Sequence, residues 1–200
     1  MQYVELGRTG LKISRLGFGG IPIQRIDQPG TKALLKAAHE AGINYIDTAR
    51  GYTVSEAWIG QSLEELGLRD RFVLATKCRA LTKAEMQQQL ALSLENLRTD
   101  HIELYQLHNP SLQDLEQILA PGGALEALLE ARDAGVVGHI GVTAHLAAVF
   151  EKALEVPEFE TIMFPYNIVE QQGAELIERC AKAGKAFIDM KPLAGGAIED

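Results

Sequence analysis

Cysteine, basic charge and long apolar runs are all scarce in this sequence. Only two cysteines occur, Cys78 and Cys180, far apart and in no C-x-x-C spacing. That pattern supports neither a disulfide framework nor a redox motif and reads as a reduced thiol pair. Lysine and arginine total 19 against 27 acidic residues, a formal net charge of −8. Phosphate backbones call for a basic face, so nucleic acid is not an expected partner. The acidic excess is spread over expected helix surfaces and reads as solubility. No uninterrupted apolar segment is long enough to span a bilayer, and the amino terminus MQYVELGRTG lacks a basic stretch followed by an apolar run. No membrane partner and a cytoplasmic location are therefore expected. A G-x-G-x-x-G dinucleotide fingerprint is also missing, because Gly17, Gly19 and Pro22 do not supply it.

What is present is enough apolar material, 46% of 200 residues, for one sizeable core. Tyr3 to Leu16 reads as a hairpin turned at Arg8-Thr9-Gly10, and Leu16 to Ile23 as the first barrel strand. A helix from about Thr31 stops at Gly42. The strand Tyr45 to Ala49 follows, then a helix capped by Ser55 and ended at Gly67. Phe72 to Lys77 reads as a strand, and Thr82 with Glu85 as a capping box for the helix carrying Met86, Leu90, Leu94 and Leu97. The strand Ile102 to His108 is broken off by Pro110, and Gly122-Gly123 leads into a helix ended by Gly135. The strand His139 to Thr143, a helix from Leu146 to Glu155, the strand Thr161 to Asn167, a helix to Gly184 and the strand Ala186 to Lys191 complete the series. Ala-Gly closes three helices, at 41–42, 134–135 and 183–184, which suggests repeated units. Seven strands alternating with six helices predict an α/β protein with a parallel sheet. The expected fold is a (β/α)8 TIM barrel, incomplete here because such a domain takes roughly 250 residues. One domain, residues 1–200, lacking the last βα units and exposing open strand edges, is the expectation.

Strand ends are where barrel active sites lie. Asp47, Tyr52, Lys77 and His108 fall at or just after three of them. A nearby ammonium favours phenolate over phenol, a carboxylate holds that ammonium charged, and a neutral imidazole donates a hydrogen bond to a carbonyl oxygen. Together they suit protonation of a carbonyl oxygen while hydride adds to its carbon, the hydride coming from a cofactor. Alone, each has a plainer reading as a cap, an ordinary loop aromatic, a surface lysine or a structural histidine. Their joint placement favours a site.

Five motifs carry a resemblance along essentially the whole chain: LGRTGLKISRLGFGG at 6–20, YIDTARGY at 45–52, LATK at 74–77, LYQLHNP at 104–110 and GHIGVT at 138–143. The sequence resembles the aldo-keto reductase family. The resemblance implies an NADP(H)-preferring carbonyl reductase, NAD(H) being the alternative, with a small-molecule carbonyl substrate and the amino-terminal hairpin closing the barrel bottom. It puts the catalytic aspartate, tyrosine, lysine and histidine at Asp47, Tyr52, Lys77 and His108. It implies cofactor contacts at Gly20, Asp47, Thr143, Tyr166, Asn167, Met190, Leu193 and Gly195. The family's usual Ser-Asn on strand five is here Thr143-Ala144 followed by His145, a usual glutamine is Met163, and a usual stacking aromatic is Met190. MKPLAGG and PYNIVE look like a bacterial branch that often carries a cysteine-rich iron–sulfur segment. No cysteine follows Cys180, so no cluster is expected in this chain. The basic residues that read the adenosine phosphate come later in the family's chains than Asp200. The competing reading is a catalytically weak or inactive barrel fragment that acts as an interaction module.

Overall fold

The computed structural model describes residues 1–196. The hairpin forms first, with β1 (Tyr3–Glu5) antiparallel to β2 (Lys12–Ser14). Seven parallel strands follow in one curled sheet, β3 (Phe18–Gly19), β4 (Tyr45–Asp47), β5 (Val73–Cys78), β6 (Ile102–His108), β7 (Val137–Thr143), β8 (Thr161–Pro165) and β9 (Ala186–Met190). Their spatial order is their chain order, so this is an incomplete (β/α)8 barrel with β3 and β9 at its edges among the described residues. The helices are α1 (Gln28–Glu40), α2 (Ser55–Leu66), α3 (Lys83–Leu97), α4 (Leu112–Leu119), α5 (Ala124–Asp133), α6 (Ala147–Leu154) and α7 (Ala174–Lys182). No helix among the described residues is long and apolar enough to cross a membrane.

The seven expected sheet strands are present, but one helix more than expected forms. It is α4, whose start is fixed by a reciprocal capping box between Ser111 and Asp114 just after Pro110. The first sheet strand is shorter than the expected 16–23, because the chain turns into a 3-10 helix at Ile21–Arg25 with Pro22 in its first turn. Helix α1 starts three residues ahead of Thr31, since the Asp27 carboxylate accepts from Gly30 N at 2.8 Å. Ser55 does not cap α2. Val54 is the N-cap, and the Ser55 hydroxyl instead donates to the Gly20 carbonyl and bonds the Thr48 hydroxyl, both at 2.8 Å. The three Ala-Gly helix ends do share one geometry, with Gly42, Gly135 and Gly184 at φ of +85°, +76° and +68°.

Strand alternation sorts the side chains into two sets. Ile46, Leu74, Tyr105, Leu107, Ile140, Val142, Ile162 and Phe164 point outward into the core shared with the helices. Tyr45, Ala75, Leu104 and Ala186 point inward near the strand starts, where Leu6 and Ile13 of the hairpin pack on them. The hairpin thus closes the bottom of the barrel as expected. The inward positions nearer the strand ends carry Asp47, Lys77, His108 and Thr143, so one periodicity that builds the core also lifts polar groups to the open end.

Helix α2 lies close on α3 because Gly60 has no side chain. A β-carbon there would stand 2.5 Å from the Leu97 carbonyl carbon and closer still to the Asn96 oxygen, and both are backbone atoms that cannot swing away. Gly60→Ala is expected to cost about 1–3 kcal/mol by overpacking, read as a lower urea midpoint. A change under about 0.5 kcal/mol, the range of an ordinary surface substitution, would contradict this packing.

Candidate active site

Lys77 lines a cleft inside the curled sheet near the strand ends and is only 2% exposed. Its ammonium is ion-paired with Asp47 Oδ1 and donates to the Thr48 carbonyl at 2.8 Å. The register explains the contact. Asp47 is level with Ala75 on the neighbouring strand, so Lys77 is the next inward side chain above it and reaches back across one strand. Lys77 Nζ lies 5.0 Å from the centroid of the Tyr52 ring. That ring and His108 meet in a T-shaped arrangement with centroids 5.8 Å apart. All four expected catalytic residues therefore stand together.

Local bonds fix the loop bearing Tyr52. Its backbone N–H donates to the Ala49 carbonyl at 3.0 Å, and Arg50 N to the Lys77 carbonyl at 2.9 Å. The Arg50 guanidinium donates to Glu56 Oε2 at 2.7 Å and to Gln89 Oε1 at 3.3 Å. Glu56 is 1% exposed and also accepts from Thr76 at 2.7 Å and Ser93 at 2.9 Å, so its charge is paired and its lone pairs are filled. Neither Arg50 nor Glu56 stood out in the sequence, where Glu56 is one more acidic residue in a helix's first turn.

Burial lowers the pKa of His108 to about 4, and the charges of Lys77, Arg79 and His145 act the same way. The imidazole is therefore neutral at pH 7. Beside it, Asn109 (φ +51°) donates its N–H to Thr143 Oγ1 at 2.9 Å, while its side-chain oxygen meets His145 Nδ1 at 2.9 Å. One left-handed residue thus orients a hydroxyl and a second imidazole on the cleft wall.

The cleft has a volume of about 2140 Å³ and runs open between the β3 and β9 edges. Gly20, Asp47, Thr143 and Met190 of the expected cofactor set line it, with Met163 and Lys191. Gly20 keeps the wall tight, since a β-carbon there would lie 2.8 Å from the Ser55 hydroxyl. Tyr166, Asn167, Leu193 and Gly195 do not line it. The Asn167 amide is already committed, donating to Glu170 at 2.9 Å and to the Lys191 carbonyl at 3.1 Å, so it ties the loop after β8 to the end of β9. Leu193 is 68% exposed, and Gly195 lies in an exposed turn. A further residue escaped the sequence reading: Gln106, inward on β6, donates to Asp47 Oδ2 at 2.9 Å.

The depressed pKa of His108 has a sign. Protonation favours the unfolded chain, where histidine titrates near 6.5. The stability contributed by neutral His108 is fully present above about pH 6.5 and is lost as pH falls through about 4. NMR titration of the ring is expected to give a value near 4, and a ring titrating at 6.5 or above would contradict its burial.

A sequence profile described as the Aldo/keto reductase family matches residues 15–200. Aldo-keto reductase YhdN of Bacillus subtilis is 32% identical over 203 residues, covering 92% of this chain and 60% of that protein. D-threo-aldose 1-dehydrogenase of a Pseudomonas species is 30% identical over 219 residues, covering 90% and 66%. Among solved structures, the holo form of the aldo-keto reductase AKR11C1 of Bacillus halodurans superposes with a TM-score of 0.88 at 28% identity, covering 98% of this chain and 68% of that one. The chain spans 60% and 66% of the length of these two curated relatives. With the profile covering nearly all of it, the chain belongs to the aldo/keto reductase family.

Proposed function

We propose that this chain, as a single domain over residues 1–200, is a nicotinamide-dependent oxidoreductase that reduces small aldehyde or ketone carbonyls to alcohols. Tyr52 is its proton donor. The observation that carries the reading is the buried Lys77 ammonium, held by Asp47 and the Thr48 carbonyl beside the Tyr52 ring and the neutral His108. In this arrangement the His108 N–H orients the substrate carbonyl oxygen, the Tyr52 hydroxyl delivers its proton to that oxygen, and Lys77 favours the phenolate left behind. Relatives of this chain include an NADH-specific methylglyoxal reductase of Escherichia coli and an L-galactose dehydrogenase of Arabidopsis thaliana, which supports small oxygenated carbonyl compounds as the substrate class.

The donor set fits a nicotinamide nucleotide, NADP(H) or alternatively NAD(H). Thr143 Oγ1 already accepts from Asn109, which leaves its hydrogen to donate to a carboxamide oxygen. His145 Nδ1 is engaged by the Asn109 side-chain oxygen, which leaves Nε2 to accept from a carboxamide nitrogen. Met190 lines the cleft and would offer its thioether to the flat ring. When bound, the nicotinamide supplies the hydride.

Tyr52→Phe removes the hydroxyl and keeps the ring beside His108. Turnover of methylglyoxal with NADPH or NADH is expected to fall about 10²-fold or more, with nucleotide dissociation constants within a few-fold of wild type. A variant that turns over within a few-fold of wild type, or a wild-type chain that binds neither nucleotide, would overturn the proposal.

A further inference from the structure

Gln106 is fully buried, and only one end of its amide is satisfied. Its nitrogen donates to Asp47 Oδ2 at 2.9 Å, while its oxygen, Oε1, has no partner among the described residues. A buried polar atom without a partner is uncommon and asks for an explanation. Leucine or methionine would fill a similar volume on this strand without stranding an oxygen. On either side of Gln106, the inward positions Leu104 and His108 are an apolar core residue and a cleft residue. On its own strand the glutamine thus sits between an apolar floor residue and a cleft residue, level with Lys77 on the neighbouring strand.

The contact it makes defines its use. Asp47 has two carboxylate oxygens: Oδ1 takes the Lys77 ammonium, and Oδ2 takes the Gln106 amide. A carboxylate held at one oxygen swings about its χ2 bond, a broad torsion. Held at both, it has one orientation. The two donors come from neighbouring strands, Lys77 being level with Gln106 in the β5–β6 register, so the clamp is as rigid as the sheet.

We infer that Gln106 is a positioning residue, fixing the Asp47 carboxylate so that Oδ1 faces Lys77 and the ammonium stays under Tyr52, at the expense of its own unpaired oxygen. It does not line the cleft. The inference rests on the oxidoreductase reading for its functional half, and on geometry alone for its structural half. A stability-driven role and a positioning role make opposite forecasts. If Gln106 served the fold, its loss would destabilise the chain. If it serves Asp47, an apolar replacement removes a stranded oxygen, leaves the fold intact and loosens the site, the trade expected where function holds a group against packing.

The test is Gln106→Leu, with Gln106→Met as the second variant in case the branched side chain packs badly, made in the full chain. The melting temperature is expected within about 3 °C of wild type or above it, a shift of about 1 kcal/mol or less for a chain of this size. The kcat for methylglyoxal is expected to fall about 10-fold or more, with KM within about twofold, since misplacement near the reacting groups costs rate before binding. A crystal structure of the variant is expected to show the Asp47 carboxylate turned away from Lys77. A melting temperature lowered by many degrees in both variants, with kcat and the Asp47–Lys77 contact unchanged, overturns the inference. A wild-type chain without turnover sinks the oxidoreductase reading instead, and the orientation of Asp47 in the variant structure then decides the role of Gln106.

Discussion

The rest of the site hangs on one ammonium, that of Lys77, taken out of water between the Asp47 carboxylate and the Thr48 carbonyl. Burying both charges costs free energy that their attraction repays only in good geometry, so such a pair is weak evidence for stability. Its position is informative instead. Both residues point inward at the open end of adjacent strands, the place where the sheet can hold charge without breaking the apolar layer beneath. The hairpin packs on the strand starts, at the opposite end of the sheet from these polar groups.

A second buried charge, Glu56, does the matching work outside the barrel wall. It gathers Arg50, Thr76 and Ser93, and so joins the loop after β4 to β5 and α3. The loop carrying Tyr52 is thereby tied to regular elements, and side-chain geometry held this way is more precise than a free loop allows. The close approach of α2 to α3 at Gly60 belongs to the same wall. Packing and site are thus one construction: the helices set the loop, the loop sets the phenol, and the strands set the charge below it.

The residues legible in the sequence were those at strand ends. Asp47, Lys77 and His108 each close an apolar run, and a run that stops on an ionisable group announces both a boundary and a chemistry. Gln106 gave no such signal. It lies inside a strand, and its partner Asp47 is two strands away in sequence, so only the register brings them together. Ser55 looked like a helix cap because serine before a helix usually is one, yet its hydroxyl bonds the Gly20 carbonyl and the Thr48 hydroxyl, just past the ends of the adjacent strands β3 and β4, instead. Helix α4 was hidden by its length of 8 residues and by the proline ahead of it, although its capping box was written in Ser111 and Asp114. Asn167 matched a cofactor position by motif, while the fold uses its amide to hold two loops together.

The central claim is that the Asp47–Lys77 pair is kept for chemistry rather than for stability. Asp47→Asn leaves an acceptor for Gln106, and Lys77→Met keeps the length of the side chain without its charge. Urea unfolding of the double variant, with carbonyl turnover measured on the same preparation, tests the claim most directly. The account predicts stability within about 1 kcal/mol of wild type or higher, against a loss of about 3–5 kcal/mol when Lys77→Met alone strands the carboxylate, and turnover reduced to background in both. A double variant destabilised by several kcal/mol, or one that still reduces its substrate, would contradict it.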